Sequence, residues 1–507
     1  MRILIADDEF LARATIKSML EDFGFGANEI AEATNGEDLI NQTNQRRPDV
    51  VFVDIRMPKL DGLQAIYTAQ QFSPETHWII LTGFPEFEYA QEAIRLGVSS
   101  YLLKPVNPDD LYKALAKARE SGIERKAMLN KQFERALMAF YYELGSADLE
   151  ELDGQFDGSG YICAALYLDS SHSEKNKAKN QTKLRGSIRK IIEDAAEVSN
   201  RLALFVMPTG ELVTVAAWEN CADAKHSVRQ YVEALQALVE EFSQDDLAVT
   251  MLISERCSTF EILQTQLGEL QALSPLRVVA GIGAALGAID LKLWAQSSEW
   301  LTLSDVVLEM NAAYAGQNYL CYRKEVEAFQ KVINIIKGDL PMAALCAYLR
   351  RALGINLPIH PDLKILIDLL NNHGNSLLTD RRGEDTSLDL VAQVKAFVDE
   401  NYSMNIGIGQ IADQLKVTPN YLSTLFHRKT GTTFMNYLKG IRMLKAQELL
   451  MNPNLQIQQV AEQVGYFSAR HFARLFAEQF GCLPSDYRDT LRQKAQASQP
   501  IILEDQL

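Results

Sequence analysis

Along the first 120 residues the hydrophobic positions fall into two alternating patterns. Short apolar runs at Arg2–Ala6, Glu29–Ala33, Val50–Val53, Trp78–Leu81 and Ser100–Leu103 predict strands, while Phe10–Phe23, Gly62–Phe72 and Phe87–Leu96, with apolar residues three and four apart, predict helices. Strand alternating with helix at this pitch predicts a parallel sheet covered on both faces. Past Leu111 the helical stripe continues through Leu115, Ala118, Leu129, Phe133 and Ala136 to about Tyr142, interrupted only by Gly122. It predicts a long helical connector that a second copy could coil against.

A different order follows. Tyr161–Asp169, Leu202–Met207, Leu212–Trp218 and Leu247–Ser254 read as strands, the middle two joined by Pro208-Thr209-Gly210, and Lys183–Val198 and Lys225–Phe242 read as helices. Strand, helix, strand, strand, helix, strand is the order of a split βαβ sandwich. Helical patterns then dominate to about Leu378, the polar run Thr379–Ser387 reads as a linker, and everything from Leu388 to about Arg492 is helical. The expected organisation is therefore an α/β domain (1–120), a helical connector (121–154), a mixed α+β middle domain (155–330), a helical region with linker (331–387), an all-α domain (388–492) and a tail (493–507).

Length agrees, since 507 residues call for three or four domains. With 47% hydrophobic and 23% charged residues, disorder on a large scale is excluded. A net charge of −16 excludes a generally basic surface. The last segment departs from this: residues 391–494 hold 12 Lys or Arg against 8 Asp or Glu. No secretory signal or membrane-spanning run is visible; the longest apolar stretch, Val278–Leu291, contains three glycines. Six cysteines lie far apart, without metal-ligand spacing, and read as reduced thiols of a cytoplasmic protein.

Chemistry enters where the apolar runs stop. Asp7 and Asp8 follow the first strand, Asp54 the third, Thr82 the fourth and Lys104 the fifth. Parallel strands end on one edge of a sheet, where ligands of open α/β folds bind. Each residue alone could be a cap or a turn; five at successive strand ends predict one crevice. Three carboxylates there repel unless a cation or protonation intervenes, and Mg²⁺ suits oxygen ligands. An aspartate can also attack a phosphoryl group, with a lysine and a hydroxyl holding its oxygens.

The segments Ile5-Ala6-Asp7-Asp8-Glu9, Val53-Asp54-Ile55-Arg56-Met57-Pro58, Leu81-Thr82-Gly83 and Tyr101-Leu102-Leu103-Lys104-Pro105 resemble receiver domains of bacterial two-component response regulators. The resemblance implies a flavodoxin-like fold with a five-stranded parallel sheet and Asp54 as phosphoacceptor. It implies Mg²⁺ on Asp8, Asp54 and the backbone carbonyl of Arg56, with Asp7 acting largely through water. Thr82 and Lys104 would engage the phosphoryl oxygens, Tyr101 would be the aromatic switch, and the Lys104–Pro105 bond would be cis.

The last segment repeats itself. Ile411-Ala412, Leu415 and Val417 recur 49 residues later as Val460-Ala461, Val464 and Tyr466; then Leu422, Leu425, Phe426, Gly431 and Tyr437 recur 50 residues later as Phe472, Leu475, Phe476, Gly481 and Tyr487. Helix, tight turn and second helix, twice over, is helix-turn-helix anatomy. Outward positions would be Asn420, Ser423, Thr424, His427 and Arg428 in the first unit, and Ser468, Ala469, Arg470, His471 and Arg474 in the second. These are side chains suited to base edges and methyl groups. A helical bundle for protein contacts is the alternative. Gly465-Tyr466, Phe476 and Gly481-x-x-Pro484-x-x-Tyr487-Arg488 resemble the AraC-type regulators, which implies a long helix, about Phe434–Met451, joining the two units. Phe467 and Ala469 depart from the small polar residues usual there.

The middle is less informative. Gly281-Ile282-Gly283-Ala284-Ala285-Leu286-Gly287 lacks phosphate-loop spacing, and His77, His172, His226, His360 and His373 lack metal spacing. Its strand order faintly resembles degenerate nucleotide-cyclase-like modules, without their acidic loop. The two ends together imply a transcription regulator, usually an activator, controlled by a sensor histidine kinase, binding double-stranded DNA, dimerising when phosphorylated and able to contact RNA polymerase. A receiver-controlled enzyme or a small-molecule sensor in the middle domain are the rivals.

Overall fold

The computed structural model describes residues 1–497 except 84–86, 143–159, 198, 244–246, 337–339, 359–360, 379–383 and 453. The chain forms two compact units, Met1–Leu129 and Asn130–Leu507.

In the first unit, β1 (Ile3–Ala6), β2 (Ile30–Ala33), β3 (Val50–Asp54), β4 (His77–Thr82) and β5 (Ser100–Leu103) form a parallel sheet in the order β2-β1-β3-β4-β5. Every residue of β3 is buried, because the sheet has a core on each side. Leu4, Val51, Val53 and Ile80 pack on one face with Leu63 and Ile66, while Ile3, Ile5, Phe52 and Ile79 pack on the other with Ile16, Leu20, Leu111 and Leu115. Each such side chain contributes roughly 1.5–3 kcal/mol when buried. The helices are α1 (Phe10–Asp22), α2 (Gly36–Arg46), α3 (Gly62–Ala69), α4 (Phe87–Arg95) and the start of α5 (Pro108–Tyr141). Asn35 and Asp61 cap α2 and α3 by accepting the amides of Asp38 and Gln64.

Helix α5 runs through Gly122 without a break. From Asn130 it belongs to the second unit, where Phe133 and Leu137 are buried in the core of the middle sheet. The expectation of a connector coiled with a second copy is corrected accordingly: from Phe133 on, the apolar stripe is buried against its own chain. Residues 143–154 of the expected connector lie outside the described residues.

The middle sheet is built from β6 (Gly160–Ser170), β7 (Asn200–Val206), β8 (Leu212–Trp218), β9 (Leu247–Ile253) and a short β10 (Ala285–Gly287), in the order β10-β9-β6-β8-β7. The first four are antiparallel neighbours, with α6 (Glu174–Ala195) and α7 (Ala222–Phe242) in the split βαβ order. Helix α6 starts earlier than Lys183, since its polar first turns offer no apolar stripe to read. The glycine run at 281–287 supplies the loop and the edge strand β10, parallel to β9. Alternate residues of β6 serve two cores: Ala164 and Leu166 face Leu184, Ile188 and Tyr231 of α6 and α7, while Cys163, Ala165 and Tyr167 face the opposite layer.

That layer contains α8 (Phe260–Leu273), α9 (Arg277–Ala280), α10 (Ala288–Ala295), α11 (Ser298–Ala315), α12 (Tyr319–Ile335), α13 (Met342–Leu353) and α14 (Leu363–Asn375). Then come α15 (Glu384–Asn401), α16 (Ile408–Leu415), α17 (Pro419–Thr430), α18 (Phe434–Leu450), α19 (Ile457–Gln463), α20 (Ala469–Phe480) and α21 (Pro484–Ala497). The linker expected at Thr379–Ser387 is corrected in its second part: Glu384–Ser387 are the first turn of α15, and 379–383 lie outside the described residues. The tail expected from 493 likewise begins as the end of α21. Among the described residues no helix is long and apolar enough to cross a membrane.

Candidate functional site

The strand order reverses about β1, so the crevice at the carboxyl ends of β1 and β3 opens where neighbouring loops diverge. Carboxylate oxygens of Asp7, Asp8 and Asp54 there lie within 4.8 Å of one another. Asp7 is 1% exposed and Asp54 9%, while Asp8 faces out. Lys104, whose peptide bond to Pro105 is cis, places its Nζ 2.7 Å from Asp7 Oδ2 and 2.6 Å from Asp54 Oδ2. Thr82 is buried at the end of β4, and Tyr101 is half-buried on β5 against the α2–α3 side of the sheet. The crevice thus gathers Asp7, Asp8, Asp54 and Lys104, and Thr82 closes the neighbouring strand. Its oxygen donors fit a hard divalent cation.

The charges do not balance evenly. Burial raises the Asp54 carboxyl above its ordinary value; the Lys104 ammonium and the Arg56 amide pull it back without cancelling the effect, and Asp7 adds to it. Burial pulls the Lys104 ammonium downward, but its bonds to Asp54 and Asp7 outweigh that, leaving it raised. The lysine has two carboxylates, whereas Asp54 shares one cation with Asp7. An ionised Asp54 therefore destabilises the folded state at neutral pH relative to acid, where the raised group is protonated. Asp54→Asn should raise the unfolding midpoint in metal-free buffer at pH 7, and the gain should vanish as pH falls through the raised carboxyl pKa. Calorimetry at the two pH values checks this; an Asp54→Asn protein less stable than the parent at pH 7 would contradict it.

Two contributors were not singled out from the sequence. Arg13 is buried on α1, and its Nη1 donates to the Asp7 carbonyl at 2.9 Å while Nε pairs with Glu32 at 3.1 Å. Its signal is positional: it falls in the apolar stripe with Ile16 and Leu20. Gly62 opens α3 directly over β3, where a methyl group would collide with the Asp54 carbonyl oxygen.

At the other end, most of the repeated apolar positions are buried, while Gly431 and Gly481 are exposed helix ends. Ile411, Ala412, Val417, Leu422, Leu425 and Phe426 form one small core, and Val460, Ala461, Val464, Tyr466, Phe472, Leu475 and Phe476 another. Thr418 caps α17, with Pro419 at its first position, and Ser468 caps α20. The cap follows Val417 at once but follows Tyr466 after one further residue, Phe467. This accounts for the change of offset from 49 to 50, and Phe467 is left 69% exposed. Asn420, Thr424, His427 and Arg428 are exposed, as are Arg470 and Arg474; Ser468, Ala469 and His471 are half-buried. Ser423 is half-buried too, and its hydroxyl donates to the Pro208 carbonyl of the middle region at 3.4 Å.

Between the two cores Arg442 is buried on α18, another charge within an apolar stripe that was not singled out. Its Nε donates to the Tyr402 carbonyl at 2.7 Å and its Nη2 to the Met404 carbonyl at 2.9 Å, with the guanidinium over the Tyr466 ring. Gly465, at φ +87°, leaves room for it: a methyl group there would lie 2.9 Å from Arg442 Nη2.

Residues 3–116 match the response regulator receiver domain family, and residues 411–490 match a helix-turn-helix domain family. Over 498 residues the chain is 23% identical to the uncharacterized transcriptional regulatory protein YesN of Bacillus subtilis (strain 168), covering 96% of this chain and 97% of that one. It spans only 52% of a second such regulator, YhcZ. The chemotaxis protein CheY of Listeria monocytogenes is 31% identical over 118 residues, 23% of this chain and 98% of CheY. The receiver domain of AraT, a response regulator from Geobacillus stearothermophilus, is 43% identical, with a TM-score of 0.22 and coverage of 24% of this chain and 93% of that one. With a receiver domain at one end and an AraC-type helix-turn-helix domain at the other, the chain belongs to the response regulators and is a phosphorylation-controlled, DNA-binding transcription regulator.

Proposed function

We propose that Asp54 accepts a phosphoryl group from a sensor histidine kinase and that this governs how the two helix-turn-helix units bind double-stranded DNA. The observation that carries the reading is the convergence of Asp7, Asp8, Asp54 and Lys104 at the ends of β1, β3 and β5. An Asp54 carboxylate oxygen attacks phosphorus, the bond from phosphorus to the donor nitrogen breaks, and an acyl phosphate forms. Asp8, Asp54 and the Arg56 carbonyl would hold Mg²⁺, with Asp7 acting through water. Bound there, it would neutralise carboxylates and phosphoryl oxygens. Lys104, no longer sharing the Asp54 carboxylate, and Thr82 hold the phosphoryl oxygens, and Tyr101 follows Thr82. The chain's own catalysis is limited to this transfer and to hydrolysis of the acyl phosphate, in which water attacks phosphorus and releases inorganic phosphate from Asp54.

The reading assigns the receiver domain to 1–120, the middle domain to 155–330 and the DNA-binding domain to 388–492, in a cytoplasmic protein. Asn420, Ser423, Thr424, His427 and Arg428 would read one major-groove segment and Ser468, Ala469, Arg470 and Arg474 the next, about one turn (roughly 10 base pairs) away. Dimerisation on phosphorylation and contact with RNA polymerase, giving activation, complete it. Duplexes selected from a random pool, with Mg²⁺ alone and with Mg²⁺ plus beryllofluoride, test it. A two-part site enriched more strongly with the phosphoryl mimic is expected; no enrichment in either condition would overturn the DNA reading.

A further inference from the structure

The first reading helix is not free. Contacts join its helix-turn-helix unit to the middle region within the second compact unit. Thr418 Oγ1 donates to Glu174 Oε2 at 2.8 Å, Ser423 Oγ donates to the Pro208 carbonyl, and Arg185 Nη1 meets Asp413 Oδ2 at 2.6 Å. Gly210, at the tip of the β7–β8 hairpin, lies so close that a methyl group on it would be 2.5 Å from the backbone of Asn420. A methyl group on Gly316, in the turn after α11, would likewise strike the Arg428 guanidinium.

Behind these contacts is a cleft of about 530 Å³, with Asn420, Thr424 and Arg428 on one wall. The middle region lines it with Asp169, Glu174, Glu211, Glu309 and Glu325. Of its cations there, Arg277 is paired with Asp169 at 2.9 Å and Lys177 with Glu174 at 3.0 Å. The lining contributed by the middle region is therefore net negative. Among the assigned reading residues Ser423 donates to a carbonyl of the middle region, and the cap Thr418 beside them donates to a carboxylate, acceptors of the kind that DNA offers. A major groove about 12 Å wide admits a bare helix but not one with a hairpin and a second helix against its first turn.

We infer that the middle region's β7–β8 hairpin and the start of α6 are a docking surface for the first DNA-reading helix, which binds it in competition with DNA. The inference rests on the assignment of α17 as a reading helix. Apparent DNA affinity is then the open-state affinity scaled by the fraction of molecules undocked.

Charge reversal in the full-length protein tests it. Arg185→Asp, a change on the middle region alone, should tighten binding to a selected duplex about three- to tenfold without phosphodonor. Adding Asp413→Arg should reverse that gain by restoring the pair, although a new cation beside DNA would by itself strengthen binding. A readout free of DNA is maleimide labelling of a Ser423→Cys protein, with the native exposed Cys221 as internal reference. Labelling at position 423 should be slow in the parent and faster with Arg185→Asp. Equal labelling rates would overturn the docking. Faster labelling with unchanged affinity for the duplex would overturn the competition while leaving the DNA reading intact.

Discussion

An Asp54→Ala protein will take up no stable phosphate from a small phosphodonor in the presence of Mg²⁺, a loss of about a hundredfold or more, the scale of removing a nucleophile. Its binding to a selected duplex will no longer respond to the phosphodonor. Labelling with radioactive acetyl phosphate, followed by filter binding, measures both. Asp7 and Asp8 are near enough to make the test demanding, since their oxygens lie within 4.8 Å of those of Asp54. Asp7, however, is 1% exposed, bonded to Lys104 and to the Glu9 amide. Stoichiometric labelling of the Asp54→Ala protein would mean that a neighbouring carboxylate is the acceptor and that the receiver assignment of Asp54 is mistaken.

The second large effect is expected far from the crevice. Arg442→Met keeps the length of the side chain but removes the two bonds by which Arg442 ties the Tyr402 and Met404 carbonyls to α18. Two carbonyls lose charged donors, and Tyr466 loses the guanidinium over its ring. Each carbonyl left without a donor costs about 1–3 kcal/mol where water cannot replace it. The small cores on either side each retain their own buried aromatics, Phe426 in one and Phe472 in the other. Both units should therefore persist with their mutual spacing loosened. Affinity for a two-part site should fall at least about a hundredfold, while affinity for an isolated half-site should change by less than about fivefold. Gel-shift titrations on the two duplexes separate these outcomes; equal losses on both would point to unfolding instead.

The receiver half was legible because burial leaves a rhythm in the sequence. Val50–Val53 is uninterrupted because the strand is covered on both faces, and Asp54 stands out as the first polar residue after it. The duplicated domain was legible for a related reason: two units folding to one plan bury the same positions, so Phe426 and Phe476 betray each other. Arg13 and Arg442 escaped notice because periodicity marks apolar positions, and a cation inside a stripe reads as a blemish until its carbonyl partners are known. The docking of α17 was illegible altogether. Thr418 and Glu174 are 244 positions apart, and nothing in the alternation of polar and apolar residues says which polar surfaces will meet. The coiled connector failed by the same limit, since the stripe at Phe133 and Leu137 announces burial without naming the partner.

The hairpin tip at Pro208-Thr209-Gly210 sits outside the cores that hold the middle sheet together, closed by its own bonds, the Met207 amide to the Glu211 carbonyl and the Gly210 amide to the Met207 carbonyl. Gly210 is fixed by its positive φ and by the closeness of Asn420, but an exposed neighbour such as Thr209 can drift over generations at little cost in folding. If the tip restrains the reading helix, the stimulus needed to switch on a set of genes becomes a heritable quantity adjustable in single steps. A lineage could then grow more or less sensitive to the same signal while its receiver domain and its helix-turn-helix units stayed as they were.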